Sequence, residues 1–204
     1  MAEPTPGRER PSILADFDVI VLAAGASSRF PNGNKLVHPY QGRPLISHLF
    51  ETIAELDLRQ RIVVTGAPYR SEIRTVLAGY PGWQECFNSH ASSGMGSSIA
   101  VGAALLDGSR GVFICPGDMP AIGAGDFLAV ARLFTGPQSI CRPTFGGRPG
   151  HPVLIGHAHY ERLRRLEESQ GAASLINDVP HCLSTYASTH AGVALDCDLP
   201  EHFL

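Results

Sequence analysis

The sequence predicts an α/β fold, a mostly parallel β-sheet covered by helices on both faces. Short apolar runs rich in β-branched residues alternate along the chain with segments whose apolar residues fall at helical spacing. Val19-Ile20-Val21-Leu22 is apolar throughout, as expected of a strand buried on both faces. Gly111-Val112-Phe113-Ile114-Cys115 has the same character.

The first strand ends in Ala23-Ala24-Gly25, three residues with almost no side chain, which leaves room for something flat against the backbone. Ser27, Ser28, Arg29, Asn32, Gly33 and Lys35 follow in a loop. Small residues let backbone N–H groups face an anion, and Arg plus Lys add fixed positive charge. The simplest occupant is a nucleotide, base near the alanines and phosphates near Arg29 and Lys35. Gly42-Arg43-Pro44 then opens a helix that carries Leu45, Leu49, Ile53 and Leu56. A strand over 61–66, a short helix over 71–77 and a weaker strand over 83–88 come next. The turn 92–98 leads into a helix over 99–106. The strand 111–115 runs into Pro116-Gly117-Asp118-Met119-Pro120. Beyond it the pattern gives a helix over 125–134, a strand over 139–141, a Gly- and Pro-dense loop over 142–150 and a strand over 152–155. Helices over 159–168 and 172–176 and strands over 184–186 and 193–195 complete the chain. Ligands of such sheets sit at the carboxyl ends of the strands. The 23–35 loop, the 94–98 turn and Asp118 are therefore expected to face one crevice.

At 204 residues the chain suits one domain. Residues 1–15 read as a polar, Pro-rich disordered leader without the apolar region of a signal peptide, and 16–204 as the single folded domain. A net charge of −3 gives no general attraction to nucleic acid or anionic membrane, so neither is expected as a partner. Any phosphate ligand must be held by local groups. The cysteines, Cys86, Cys115, Cys141, Cys182 and Cys197, are odd in number and form no C-x-x-C pair. Neither a disulfide framework nor a zinc site is indicated, and reduced cysteines in a cytoplasmic protein are expected. No apolar run approaches membrane-spanning length.

The first loop is neither of the commoner phosphate loops. Asn34 separates Gly33 from Lys35 and Leu36 follows, which breaks a Walker A pattern, and Ser27 stands where a dinucleotide loop has its second Gly. The stretch instead resembles L-A-A-G-x-S-x-R-(M/F)-G-x-x-K of the nucleotidyltransferases similar to molybdenum cofactor cytidylyltransferase and molybdopterin-guanine dinucleotide biosynthesis protein A. Pro31-Asn32-Gly33-Asn34 is one residue longer than the usual spacer.

Four further stretches carry chemistry. Asp118 lies just past an apolar strand, where a carboxylate beside triphosphate oxygens would hold Mg²⁺. A helix cap or turn is the alternative. Its segment resembles the family's C-P-G-D-M-P block, with every position filled. Asp196-Cys197-Asp198 offers a second carboxylate, with Asp198 or Asp196 completing the Mg²⁺ site or Asp198 capping a helix from Pro200. The family's D-x-D-T-P-E-D has lost its Thr and last Asp here. Gly94-Met95-Gly96-Ser97-Ser98 offers donors to a base, ribose or phosphate, or merely a cap. It resembles the family's S-G-M-G-S-S-(I/L), which implies that Ser98 lies by the base. Arg142, Arg148 and His151 suit a phosphorylated, polar acceptor, or His151 is a hydrogen-bonded structural residue of the loop. Their block resembles R-P-x-x-x-G-x-P-G-H-P-V. The family's G-D-x-G-A-R appears only as Glu168-Ser169-Gln170-Gly171-Ala172-Ala173.

The resemblance implies a three-layer α/β/α Rossmann-like nucleotidyltransferase fold (nucleotide-diphospho-sugar transferase) with a mostly parallel sheet. It implies Mg²⁺-dependent transfer of CMP from CTP to a molybdopterin-type acceptor with release of pyrophosphate, and a molybdoenzyme or its maturation chaperone as recipient. Nucleotide contacts would come from Leu22, Ala23, Ala24, Gly25, Arg29, Lys35, Gly94 and Ser98. Arg29, Lys35 and Asp118 would be catalytic. Arg142, Arg148 and His151 would meet the acceptor, and Asp118 and Asp198 the metal. CTP is favoured over GTP because guanylyltransferase relatives carry L-A-G-G where this chain has Leu22-Ala23-Ala24-Gly25. Guanylyl transfer, another acceptor such as a sugar phosphate, and a non-catalytic nucleotide-binding role stay open. The degraded 168–173 and 199–202 segments motivate the last. A Rossmann-type oxidoreductase is disfavoured by the missing dinucleotide loop.

Overall fold

A computed structural model describes residues 12–27, 30, 33–168 and 170–197 of the protein. In chain order the elements are β1 (Phe17–Ala23), a small hairpin of β2 (Pro39–Tyr40) and β3 (Arg43–Pro44), α1 (Leu45–Ala54), β4 (Gln60–Gly66), α2 (Arg70–Leu77), β5 (Trp83–Asn88) and α3 (Met95–Ala103). They continue with β6 (Gly111–Pro116), α4 (Ala124–Arg132), β7 (Ile140–Phe145), β8 (Arg148–Pro149), β9 (Val153–Gly156), α5 (Tyr160–Arg164), α6 (Ala172–Asp178) and β10 (Leu183–Ala187).

The main sheet has the order β10-β7-β9-β6-β1-β4-β5, with β8 paired to β7. β1 lies near its middle, parallel to β4 and to β6. β9 runs antiparallel to both of its neighbours, so the sheet is mixed but mostly parallel. Alternate residues of a strand face opposite sides, and β1 serves two cores in this way. Val19, Val21 and Ala23 pack with α1, α2 and α4 through Leu49, Ile73 and Phe127. Ile20 packs on the other face with α3, α5 and α6 through Ile99, Leu163 and Leu175. The expected three-layer α/β/α arrangement follows from this division. Among the described residues, no helix is long and apolar enough to cross a membrane, and none of the five cysteines is in a disulfide.

At the amino-terminal edge of the sheet, Asp18 is fully buried and accepts two hydrogen bonds from Arg59, both of 2.9 Å. Arg59 also reaches Asp107 at 2.8 Å. These hydrogen bonds, that of Asp18 foremost, hold the guanidinium above its ordinary pKa against the opposing effect of burial.

Several elements depart from the periodicity. α3 starts at Met95, four residues ahead of the expected helix at 99. Gly and Ser are weak helix formers, but tertiary contacts override them here. Gly96 N donates to Glu168 O at 3.2 Å, and a Cβ at Gly96 would lie 2.0 Å from Glu167 O. The expected strand 193–195 is instead a 3₁₀ turn, Ala191–Ala194, whose Val193 carbonyl accepts from His151 N at 2.7 Å. Part of the expected loop 142–150 is strand, because β7 and β8 pair around Gly146 and Gly147, whose φ values are +56° and +77°. The helix expected over 159–168 is a 3₁₀ turn, His157–His159, followed by the short α5. The expected leader 1–15 also overruns, since Leu14 is 1% exposed and belongs to the core. Residues 1–11 lie outside the described part.

Candidate functional site

A cleft of about 550 Å³ opens at the carboxyl ends of β1 and β6, against the start of α3. Seven of the residues singled out in the sequence line it: Leu22, Ala24, Gly25, Lys35, Gly94, Ser98 and Asp118. Ser27, Phe30 and Met95 line it too. Leu22 and Ala24, the latter just past β1, lie on the same side of the sheet, while Ala23 turns the other way and packs in the core, 3% exposed. The side chain of Ala23 thus does not line the cleft as the expected nucleotide contact would. Arg29 and Asp198 lie outside the described residues.

The loop after β1 is folded back on itself by its own polar groups. Ser27, at φ +50°, accepts from Lys35 N at 3.2 Å and donates to Asn34 Oδ1 at 3.2 Å. Asn34 Oδ1 also accepts from Leu36 N at 3.0 Å, capping the short 3₁₀ turn Lys35–Val37. Phe30 N closes a further turn on Ser27 O at 2.8 Å. Lys35 Nζ donates to Asp118 Oδ2 at 2.5 Å, with the two side chains 15% and 19% exposed. Asp118 is delivered by β6: Gly117 N donates to Leu22 O at 2.9 Å, tying the two strand ends together just before it. Asp118 caps no helix; the cap of α4 is Gly123, with Asp126 closing on it.

On the opposite wall, Gly94 is the N-cap of α3 at φ +135°, a conformation that favours glycine. Neither Ser97 nor Ser98 caps the helix; both lie inside it. Ser97 Oγ donates to Gly94 O at 2.8 Å and His90 O at 3.1 Å. Asn88, at the end of β5, donates through Nδ2 to Ser97 Oγ at 2.8 Å and Ser98 Oγ at 3.0 Å. Asn88 carries no functional signal in the sequence, since an Asn at a strand end signals only a turn.

The candidate acceptor residues sit apart from the cleft lining. Arg142, on β7, is half-buried, and its Nε has no hydrogen-bond partner among the described residues. Burial pushes its pKa down. His151 approaches Ile114 O through Nδ1 at 3.4 Å. Burial lowers its pKa to about 4, reinforced by the charge of Arg142 and opposed by Ile114 and Asp196. It is therefore neutral at pH 7. Arg148 is exposed on β8.

No group of three His, Cys, Asp or Glu side chains that could hold a metal exists among the described residues. Asp118 supplies hard oxygen donors, and Cys197 N donates to Asp118 O at 3.0 Å, which brings residue 197 beside it. One or two carboxylates completed by phosphate oxygens and water suit Mg²⁺ or a similar cation.

The family description "MobA-like NTP transferase domain" matches residues 19–200. The chain belongs to this nucleotidyltransferase family. It is similar to the bifunctional protein GlmU of Rhizorhabdus wittichii, 28% identical over 142 residues that make up 69% of this chain and 31% of that protein. The chain thus spans about a third of that relative's length. It is similar as well to the nicotine blue oxidoreductase of Paenarthrobacter nicotinovorans, 28% identical over 145 residues, 67% of this chain and 69% of that one. Its fold is shared with Rv0371c of Mycobacterium tuberculosis H37Rv at a TM-score of 0.80 and 22% identity, covering 92% of this chain and 96% of that chain. A complex of Rv0371c with manganese superposes at a TM-score of 0.70 and 20% identity, covering 85% and 88%.

Proposed function

We propose that the protein is a Mg²⁺-dependent nucleotidyltransferase that moves CMP from CTP to a phosphorylated, molybdopterin-type acceptor. One observation carries the reading: an ammonium and a carboxylate from distant parts of the chain meet at 2.5 Å beside a cleft walled by small residues and a helix start. A triphosphate offers phosphate oxygens to the ammonium and a cation-binding partner to the carboxylate.

In the reaction, an oxygen of the acceptor's terminal phosphate forms a bond to the α-phosphorus. The bond from that phosphorus to the bridging oxygen of the β-phosphate breaks, and pyrophosphate leaves. The acceptor phosphate is already ionised, so no general base is needed and the protein acts through alignment and neutralisation of charge. Lys35, with Arg29 on the same loop, balances the charge of the triphosphate. Leu22, Ala24, Gly94 and Ser98 hold the base and ribose, and Ala24 leaves the tighter space that suits a pyrimidine. Asp118, with a carboxylate of the 196–198 segment, would hold Mg²⁺, which supplies neutralisation at the phosphate oxygens. Arg142, Arg148 and His151 would receive the acceptor, His151 as a neutral group.

The test is pyrophosphate release from CTP, UTP, GTP and ATP with Mg²⁺ and purified molybdopterin. CTP is expected to react best. Equal reaction of GTP removes the choice of base, and no release from any of the four removes the enzyme. The likeness to the nicotine blue oxidoreductase favours a second reading, redox chemistry in the same cleft. That reading predicts oxidation of a nicotinamide cofactor without pyrophosphate, through a turn that lacks the dinucleotide pattern.

A further inference from the structure

We infer that Lys35 keeps a free divalent cation off Asp118, so that the metal enters the cleft only together with the triphosphate. The inference rests on the proposed nucleotidyl transfer and names the form in which that cleft takes its metal, as part of the nucleotide and not as a resident ion.

Among the described residues that line the cleft, Asp118 is the one carboxylate and Lys35 the one cationic side chain. A hard divalent ion such as Mg²⁺ takes about six oxygen ligands. No group of three metal-ligating side chains stands together among the described residues. Asp118 must therefore share any ion with ligands that arrive from solution. Its Oδ2 already accepts from Lys35 Nζ at 2.5 Å. Its Oδ1 offers no escape, because an ion bound there still lies within about 6 Å of the ammonium. At that separation a single and a double positive charge repel by about tenfold in affinity, even at the dielectric constant of water. The two side chains are 15% and 19% exposed, so salt screens the repulsion less than on an open surface.

The backbone of Lys35 is fixed. Its N donates to Ser27 Oγ at 3.2 Å, and Asn34 Oδ1 caps the turn that it begins by accepting from Leu36 N at 3.0 Å. The ammonium at the end of the flexible stem follows whichever anion is nearest. A triphosphate reverses the sign of its effect. The phosphates supply oxygens to the ammonium and the missing ligands to the cation, and the cation–triphosphate complex is itself an anion. Lys35 thus repels the lone ion and attracts the complex. By linkage, cation and triphosphate each raise the affinity of the protein for the other.

Water-proton relaxation reads Mn²⁺ held on the slowly tumbling protein and is nearly blind to small Mn²⁺–nucleotide complexes, so it tests this directly. Wild type is expected to bind Mn²⁺ alone weakly and to take it up once the α,β-methylene analogue of CTP is added. Lys35→Met keeps the length of the side chain without its charge and is expected to bind Mn²⁺ alone about 10-fold more tightly than wild type. Lys35→Arg keeps the charge and should stay weak. Asp118→Asn in the Lys35→Met background should remove the gain. Melting curves confirm that each variant is folded, and Lys35→Gln stands in if Lys35→Met is not. Equal affinity for Mn²⁺ alone in wild type and the uncharged variant overturns the inference. So does a gain that survives Asp118→Asn, or one that Lys35→Arg shares. These outcomes leave nucleotide binding intact. A wild type that takes up no Mn²⁺ with the analogue of any of the four common nucleoside triphosphates overturns the functional reading, whatever Mn²⁺ alone does.

Discussion

Two ion pairs stand at opposite ends of the central strands, and they are built differently. At the amino-terminal edge, Asp18 is wholly buried and gripped by Arg59 through two parallel hydrogen bonds of 2.9 Å. At the carboxyl edge, Lys35 and Asp118 share a single contact of 2.5 Å and both remain partly open to the cleft. The planar guanidinium fork matches a carboxylate in both position and direction, whereas an ammonium is a point charge on a flexible stem. The first pair is suited to permanence. The second is suited to exchange, each partner taking up a ligand group of opposite charge.

The sharpest way to break this comparison is to remove one acid at a time. Asp118→Asn keeps the shape of the turn and is expected to cut turnover by about 10³-fold or more, the scale of a lost electrostatic contact at a reacting centre. Its stability should change by less than about 1 kcal/mol, because a partly exposed pair contributes little. Pyrophosphate release and urea unfolding, measured side by side, check both halves. Turnover near the wild-type rate would remove Asp118 from the reaction.

Asp18→Ala is the mirror experiment. It strips the buried partner from Arg59 and is expected to cost about 3 kcal/mol of stability, less than for a fully buried cation because Arg59 is 34% exposed. The folded fraction should turn over at the wild-type rate. A loss of turnover with unchanged stability would show that the two ends are not as separate as the geometry has them.

A smaller effect concerns His151, which lies close to the same edge and is buried. Its pKa in the folded state is lowered to about 4 from an ordinary 6.5. The neutral form is the one the fold accepts, so its stabilising effect is complete above about pH 6.5 and is lost as pH falls toward 4. Between pH 7 and pH 5 this group should account for about 2 kcal/mol of lost stability. His151→Gln should flatten that part of the profile, as followed by urea unfolding at the two pH values. An identical pH dependence in the variant would contradict the buried, neutral assignment.

The functional edge was more legible in the sequence than the structural one. β1 and the turn after it announce themselves through an apolar run followed by small and basic residues. Asp118 stands out because a lone acid after a buried strand has little folding reason to be there. Asp18 and Arg59 gave no signal, since a contact between residues 41 positions apart leaves no local pattern. The early start of α3 was hidden for a related reason, as Gly96 is helical only because the carbonyls of 167 and 168 close over it. Asn88 is a turn residue by sequence, and only the folded chain brings it to its two serine partners.

The mildest test returns to the carboxyl edge, where Arg142 resembles neither ion pair. Its guanidinium is half-buried, its Nε has no hydrogen-bond partner among the described residues, and burial already disfavours its charge. An arrangement of this kind costs the folded protein something and is offset when an anion arrives. Arg142→Gln is therefore expected to leave the melting temperature unchanged or slightly raised, unlike Asp18→Ala. It should raise KM for the phosphorylated acceptor about 5- to 10-fold, the value of one charge-assisted hydrogen bond, with KM for the nucleotide unaffected. Steady-state kinetics with each substrate varied in turn separates the two. If the variant were markedly destabilised instead, Arg142 would belong with Arg59 as a structural cation, and the acceptor would have to be met elsewhere on the edge.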